Sequence, residues 1–215
     1  MITDAPLFET IYSLRAMRKL KTDPVPPELI ERIIEAGTQA PSGMNTQPWA
    51  FLVVTDPAAK QFFGSRYDYW LRERFGAQLA SMDLHSPMGR TTQAALHLAE
   101  HMHEAPVLLM ACGKRDWPFA VPAAARVGKA PPSHGSIYPA VQNMLLAARG
   151  LGLGASLTTM HQMFEDELHA YFGIPEDYGV VAVLPIGWPR GRFGAVRREP
   201  VSAKTHYEKW GAGRT

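Results

Sequence analysis

The sequence predicts an α+β fold, and three observations lead there. Helical and strand patterns run in the order helices, strand, helices, strand, loop, helix, strand, strand, which is not the regular winding of a βαβ chain. The 215 residues suit one domain with a sizeable core. Hydrophobic residues make up 46% and charged residues 20%, a globular balance, with no internal repeat or low-complexity segment.

The elements can be justified in order. Phe8, Ile11, Tyr12 and Leu14 form an apolar stripe ahead of "RAMRKL". "DPVPPELIERIIEAG" is a marked helix. Pro27 fits its first turn, Glu28 suits the positive end of the dipole, and Gly37 fits a C-terminal stop. Leu29, Ile30, Ile33 and Ile34 give its buried face. "WAFLVVTD" reads as a strand ended by Asp56-Pro57. Residues 60–104 follow a long polar helical pattern broken at Pro87 and Gly89. "APVLLMAC" is a second strand, and "RDWPFAVPAAARVGKAPPS" reads as loop. In "SIYPAVQNMLLAARGLGLG" the residues Val141, Leu145, Ala148 and Leu151 share one helical face. "ASLTT" and "VVAVLPIGWP" are short strands. The polar tail from residue 190 cannot form its own core and must lie across another surface or stay loose.

Composition removes several functions. A formal net charge of +2, from 22 basic and 20 acidic residues, gives no general pull toward nucleic acid or anionic membrane. No apolar run reaches a membrane span. The acidic start "MITDAPLFET" lacks the order of a signal peptide. The lone Cys112 excludes an internal disulfide and a cysteine-only metal site, and a reducing cytoplasm fits it.

Each chemical candidate has a plainer reading. "GLGLG" (Gly150, Gly152, Gly154) follows a helix and precedes a strand, the reverse of a phosphate-cradling loop, so it reads as a helix stop. His97, His101 and His103 put two imidazoles a turn apart, yet nothing selects a third metal ligand; they read as a solvated helix face. Ser136 beside His134 lacks a G-x-S-x-G elbow and reads as a helix cap. Two basic clusters stand far apart, Arg15, Arg18, Lys19 and Lys21 against Arg190, Arg192, Arg197 and Arg198. By composition they are two solvated patches; a tail folded back would bring both to one phosphate. The loop "APSGMNTQPW" offers the Ser42 hydroxyl, the Asn45 and Gln47 amides and a close approach at Gly43. Gln47 precedes Pro48 and is expected to be extended. Two readings stand for this loop: a polar connection, or a contact for a heteroaromatic edge such as a flavin's.

The combination of "RAMRKLKTDPVPPELIERIIEAG", "APSGMNTQPWAFLVVTD", "PAVQNMLLAARGLGLGASLTT", "VVAVLPIGWPRG" and "VRREPV" resembles the FMN-dependent nitroreductase family. The resemblance implies a single domain over residues 1–215 with a central, mostly antiparallel sheet flanked by helices. Residues 64–104 would form a variable lid, and residues 190–215 an extension exchanged in a homodimer, with Trp210 as an anchor. Arg15 and Arg18 fall on the basic motif that grips the FMN phosphate, and Arg198 falls on the C-terminal phosphate-binding arginine, with Arg197 beside it as the second candidate. Leu14, Arg15 and Ala16 stand where the family has two arginines and a serine, so at Leu14 and Ala16 one phosphate contact is either missing or supplied differently, with Lys19 as the candidate. Pro41, Ser42, Gly43 and Asn45 fall on the loop that reaches the flavin from the other subunit. Leu157, Thr158 and Thr159 fall on the strand beside flavin N5. The resemblance further implies a cytoplasmic enzyme with no metal, in which NADH or NADPH reduces FMN and a small electron-poor aromatic, a nitroaromatic or quinone, takes the electrons in a ping-pong cycle. Tyr67, Tyr69, Trp70 and Phe75 are the candidate lid contacts. Dehalogenase, enone reductase or dehydrogenase activity, and flavin binding without turnover, are the alternatives.

Overall fold

The computed structural model describes residues 6–115, 128 and 132–212. Helix α1 (Leu7–Ser13) leads through an extended segment to α2 (Pro27–Thr38). A loop with one 3-10 turn (Gly43–Asn45) enters strand β1 (Trp49–Val54). Helices α3 (Pro57–Ala80) and α4 (Pro87–Glu100) precede β2 (Val107–Lys114). Then come α5 (His134–Gly150), β3 (Gly154–Ala155), α6 (Glu165–Phe172) and β4 (Tyr178–Gly187). Most of the Pro- and Gly-rich stretch expected as loop lies outside the described residues.

The fold is α+β. Its described strands form one antiparallel sheet in the order β1-β2-β4-β3. Successive side chains of a strand point to opposite faces, and β2 shows the result. Val107, Leu109 and Ala111 enter a core with α2 and α5 that contains Ile33, Val141, Met144 and Leu145. Leu108, Met110 and Cys112 enter a second core on the other face, with Phe63, Tyr67 and Leu71 of α3, Leu98 of α4 and Leu168 of α6. A strand apolar on both faces is what a sheet covered by helices on both sides requires.

Four local expectations are corrected. Gly37 is not the stop of α2: the helix runs on to Thr38, and Gly37 is buried inside it. A Cβ there would lie 2.7 Å from Met144 Cγ, so the glycine serves the contact between α2 and α5. Ser136 is not a helix cap. It sits buried in the first turn of α5, and its hydroxyl accepts from the Gly43 N–H at 3.3 Å. Gln47 is not extended: its φ is 50°. The Ser42 hydroxyl accepts its N–H, and the next carbonyl, of Pro48, is held by the Lys114 N–H, so contacts on both sides override the pre-proline preference. The break before α4 falls at residues 81–86, so Pro87 opens the helix, with the Ser86 hydroxyl capping the Gly89 N–H.

The "ASLTT" strand is shorter than expected. β3 holds two residues, yet the pairs Gly154–Gly187, Ala155–Ile186 and Thr158–Val183 keep one register. The strand line therefore resumes at Thr158 after an irregular Ser156 and Leu157.

Candidate active site

The tail does fold back. After β4 the chain runs beside residues 17–21. The Lys21 N–H donates to Trp188 O at 2.7 Å and the Arg190 N–H to Lys19 O at 3.0 Å. Arg190 Nε adds a bond to Leu20 O. Further on, the Val196 N–H donates to Tyr12 O, and the Phe193 ring lies under the Arg149 guanidinium at 4.1 Å. Gly154 makes room for this arrangement, since a Cβ there would lie 3.0 Å from Met17 Cβ and 3.2 Å from Pro189 Cβ.

These contacts bring the two basic clusters, apart from Lys21 and Arg198, into one groove of about 650 Å³. Arg15, Ala16, Arg18 and Lys19 line one side, and Arg190, Arg192 and Arg197 the other. Arg90 and Thr91 of α4 complete it. Among the described residues, seven cations and no carboxylate line the groove. Among the described residues, none of Arg15, Arg18, Lys19, Arg90, Arg192 and Arg197 is ion-paired to a carboxylate. Like charges held together without counter-ions repel, so the groove fits a polyanion. Leu14 packs against the first core and does not line the groove. Arg198 departs from expectation: it is absent from the lining, and its Nη1 donates to Arg197 O.

At Arg18 and Thr91 the groove joins a second cavity of about 430 Å³. Tyr67, Leu71 and Phe75 of α3, Met88 and Thr92 of α4, and the segment Leu157 to Met160 form its walls. Arg18 is the only charged residue among the described residues that line it. Tyr69 and Trp70 do not line it: Tyr69 faces solvent, and Trp70 packs against the second core. The Thr158 hydroxyl donates to Tyr67 Oη at 3.0 Å in a buried setting and accepts from the Met160 N–H. Burial raises the Tyr67 pKa, against smaller opposing effects of Thr158 and Arg18. The phenol therefore stays protonated at neutral pH, with its own proton to offer.

Pro41, Ser42, Gly43 and Asn45 line neither cavity. Their loop enters β1 at Trp49, which aligns with Gly113 and through it with Gly179. The basic groove lies beyond Gly187. Eight steps from Gly179 to Gly187, at about 3.3 Å each, put the two about 26 Å apart along β4. The loop is also tied to α5, on the face opposite α3. Met44, Asn45 and Gln47 all have positive φ, near 50°, and Met44 is 73% exposed. Such strain gathers at ligand sites.

The other candidates behave as structure. His97 and His101 stack at 4.1 Å, half-buried rather than solvated, and no metal-holding cluster occurs among the described residues. Gly152, at φ 78°, ends α5, as the helix-stop reading expects. Burial pushes the Cys112 thiol up to about 12, so it is no nucleophile. Trp210 is 92% exposed, and its ring contacts that of His206. The residues that sequence reasoning missed are Arg90 and Thr91. The one available signal was Arg90 one turn after the helix start Ser86-Pro87, in a stretch where no motif stood out.

A helix-flanked antiparallel sheet of this kind has known counterparts. The Nitroreductase family model matches residues 11–188, and the chain belongs to that family. Iodotyrosine deiodinase 1 of Rattus norvegicus is 28% identical over 188 residues, covering 85% of this chain and 61% of its own. This chain thus spans about three fifths of the length of that relative. The NADH dehydrogenase of Thermus thermophilus is 29% identical over 179 residues, covering 81% of this chain and 82% of its own. Among solved structures, an oxidized iodotyrosine deiodinase bound to FMN and 3-iodo-L-tyrosine superposes with a TM-score of 0.73. It is 22% identical, with 95% of this chain and all of that one covered, a likeness of fold.

Proposed function

We propose that the chain is an FMN-dependent oxidoreductase that passes electrons from NADH or NADPH to small electron-poor aromatics such as nitroaromatics or quinones. One observation carries the reading: a groove of seven cations opens at Arg18 and Thr91 into an apolar pocket beside Thr158. That is the shape and charge of a phosphate joined to a flat ring. Arg15, Arg18 and Arg197 hold the phosphate, and bidentate guanidinium contacts suit its oxygens. When bound, the flavin supplies reversible two-electron chemistry, and the protein supplies position and field. Leu157, Thr158 and Thr159 border the ring. Arg18, which lines the pocket, stabilises negative charge developing there. The apolar walls from α3 and α4 exclude water and receive donor and acceptor in turn.

The reading needs a second copy of the chain. Pro41, Ser42, Gly43 and Asn45 line neither cavity, lie about 26 Å from the groove along β4 and are tied to the α5 face, opposite the α3 face that carries the ring pocket, so in this reading they serve a flavin in a partner's site. The exposed Leu7, Phe8 and Tyr12 of α1, and Trp210, supply apolar surface for such a homodimer. A cytoplasmic enzyme accords with the single buried thiol.

The deiodinase likeness raises a dehalogenase as the second reading. Spectroscopy tests the main reading. Purified protein carries an oxidised-flavin spectrum, NADH or NADPH bleaches it without oxygen, and a quinone restores it. A colourless protein that FMN does not reconstitute contradicts this reading, and a flavin that neither nicotinamide reduces makes it a binding protein.

A further inference from the structure

We propose that the basic groove also binds a second phosphate, one carried by the nucleotide of the electron donor, with Arg90 of α4 as its principal anchor. The inference rests on the FMN reading above and concerns what that reading leaves over.

Charge is the first argument. A phosphate monoester carries about −1.5 to −2 at neutral pH, whereas among the described residues seven cations and no acidic side chain line the groove. One FMN phosphate leaves most of that charge uncompensated. Extent is the second. The groove holds about 650 Å³ and has two ends. Arg18 and Thr91 mark the end shared with the lid pocket. Lys19, Arg90 and Ala94 mark the other end, which continues into a depression of about 460 Å³ bounded by Gln93, His97 and Glu100.

Helix geometry is the third. Met88, Thr92, Ala95 and Leu98 turn one face of α4 to the lid pocket, while Arg90, Ala94 and His97 turn another to the outer depression. A ligand with its reactive ring in the lid pocket and its phosphates outside would pass Thr91 and meet Arg90. The His85 carbonyl accepts from Arg90 Nη1 and steadies the guanidinium, which has no carboxylate partner among the described residues. Glu100 ends the positive field on the far side. The ligand class is a nucleotide bearing a diphosphate or a 2′-phosphate.

Calorimetric titration of the FMN-loaded protein with adenosine 2′,5′-bisphosphate, inorganic pyrophosphate and AMP tests the proposal. The bisphosphate or pyrophosphate binds, less tightly as salt rises. Arg90→Ala weakens that binding at least tenfold, and by a much larger factor than it weakens FMN. Tighter bisphosphate binding assigns the site to a 2′-phosphate, and equal or tighter pyrophosphate binding to the diphosphate. Failure of both probes to bind, undiminished binding by Arg90→Ala, or an equal loss of FMN affinity overturns the proposal. Protein that takes up no FMN refutes the flavin reading instead, and the same titrations on that protein still decide whether Arg90 holds a phosphate.

Discussion

The Thr158 hydroxyl donates to Tyr67 Oη at 3.0 Å, joining helix α3 to the strand line that continues β3. The bond is buried, with Tyr67 and Thr158 each less than a tenth exposed. Removing one partner leaves a buried polar group unsatisfied, at a cost of about 1–3 kcal/mol. Tyr67→Phe and Thr158→Val should each lower urea-derived stability by that order. The double variant should lose less than the sum of the two, because the singles share one bond. Additive losses would show that the hydroxyls act separately.

Stability should fall in mild acid. His161 is fully buried, its Nε2 donates to Val180 O at 2.8 Å, and burial pushes its pKa below the usual 6.5 despite that bond. His97 is lowered too, by burial first and then by His101, Lys19 and Arg190. As pH drops below 6.5 the unfolded chain takes up protons that the folded chain refuses, so the unfolded state gains. The contribution is present above that pH and is lost on going down toward the lowered folded values. Thermal melts at pH 7.5 and 5.5 should show the loss, and His161→Gln should flatten it.

The Cys112 thiol should be inert in the native state. Burial holds its pKa near 12, with Glu165 adding to the effect. Ellman's reagent should leave native protein unlabelled and titrate one thiol after denaturation. Rapid native labelling would mean that β2 opens.

Gly154→Ala should act at a distance from the ligand. Its new Cβ would press on Met17 Cβ and Pro189 Cβ, which no rotamer change can move away. Overpacking of this kind costs about 1–3 kcal/mol. It also displaces the segment bearing Arg15 and Arg18, so FMN affinity should drop along with the melting temperature. A stable variant with unchanged FMN binding would show that the close packing is dispensable.

Much of this was legible from periodicity. The buried faces of α2 and α5, read from Leu29, Ile30 and Ile33 and from Val141, Leu145 and Ala148, depend on local spacing and hold in three dimensions. What failed depended on distant contacts. Gly37 reads as a stop until Met144 is placed against it, and Ser136 as a cap until Gly43 reaches it. Gln47 yields to hydrogen bonds at its own N–H and at Pro48. The joining of the basic clusters appeared only as a condition, that the tail fold back, because Arg190 meets Lys19 across 171 positions of sequence. The choice between Arg197 and Arg198 turned on backbone direction in an irregular tail, and Arg90 lay in a helix with no motif to mark it.

The most direct measurement is the affinity of apoprotein for FMN, read by quenching of flavin fluorescence, in the parent and in Arg18→Ala, Arg197→Ala and Arg198→Ala. Loss of one charged hydrogen-bonding partner costs about 1.5–3 kcal/mol, or about 10- to 150-fold in affinity. Arg18→Ala and Arg197→Ala, whose side chains line the groove, should weaken FMN by that much, and Arg198→Ala by far less. Unchanged affinity in the first two variants, or a parent that binds no FMN, would contradict the assignment of the groove to the flavin phosphate.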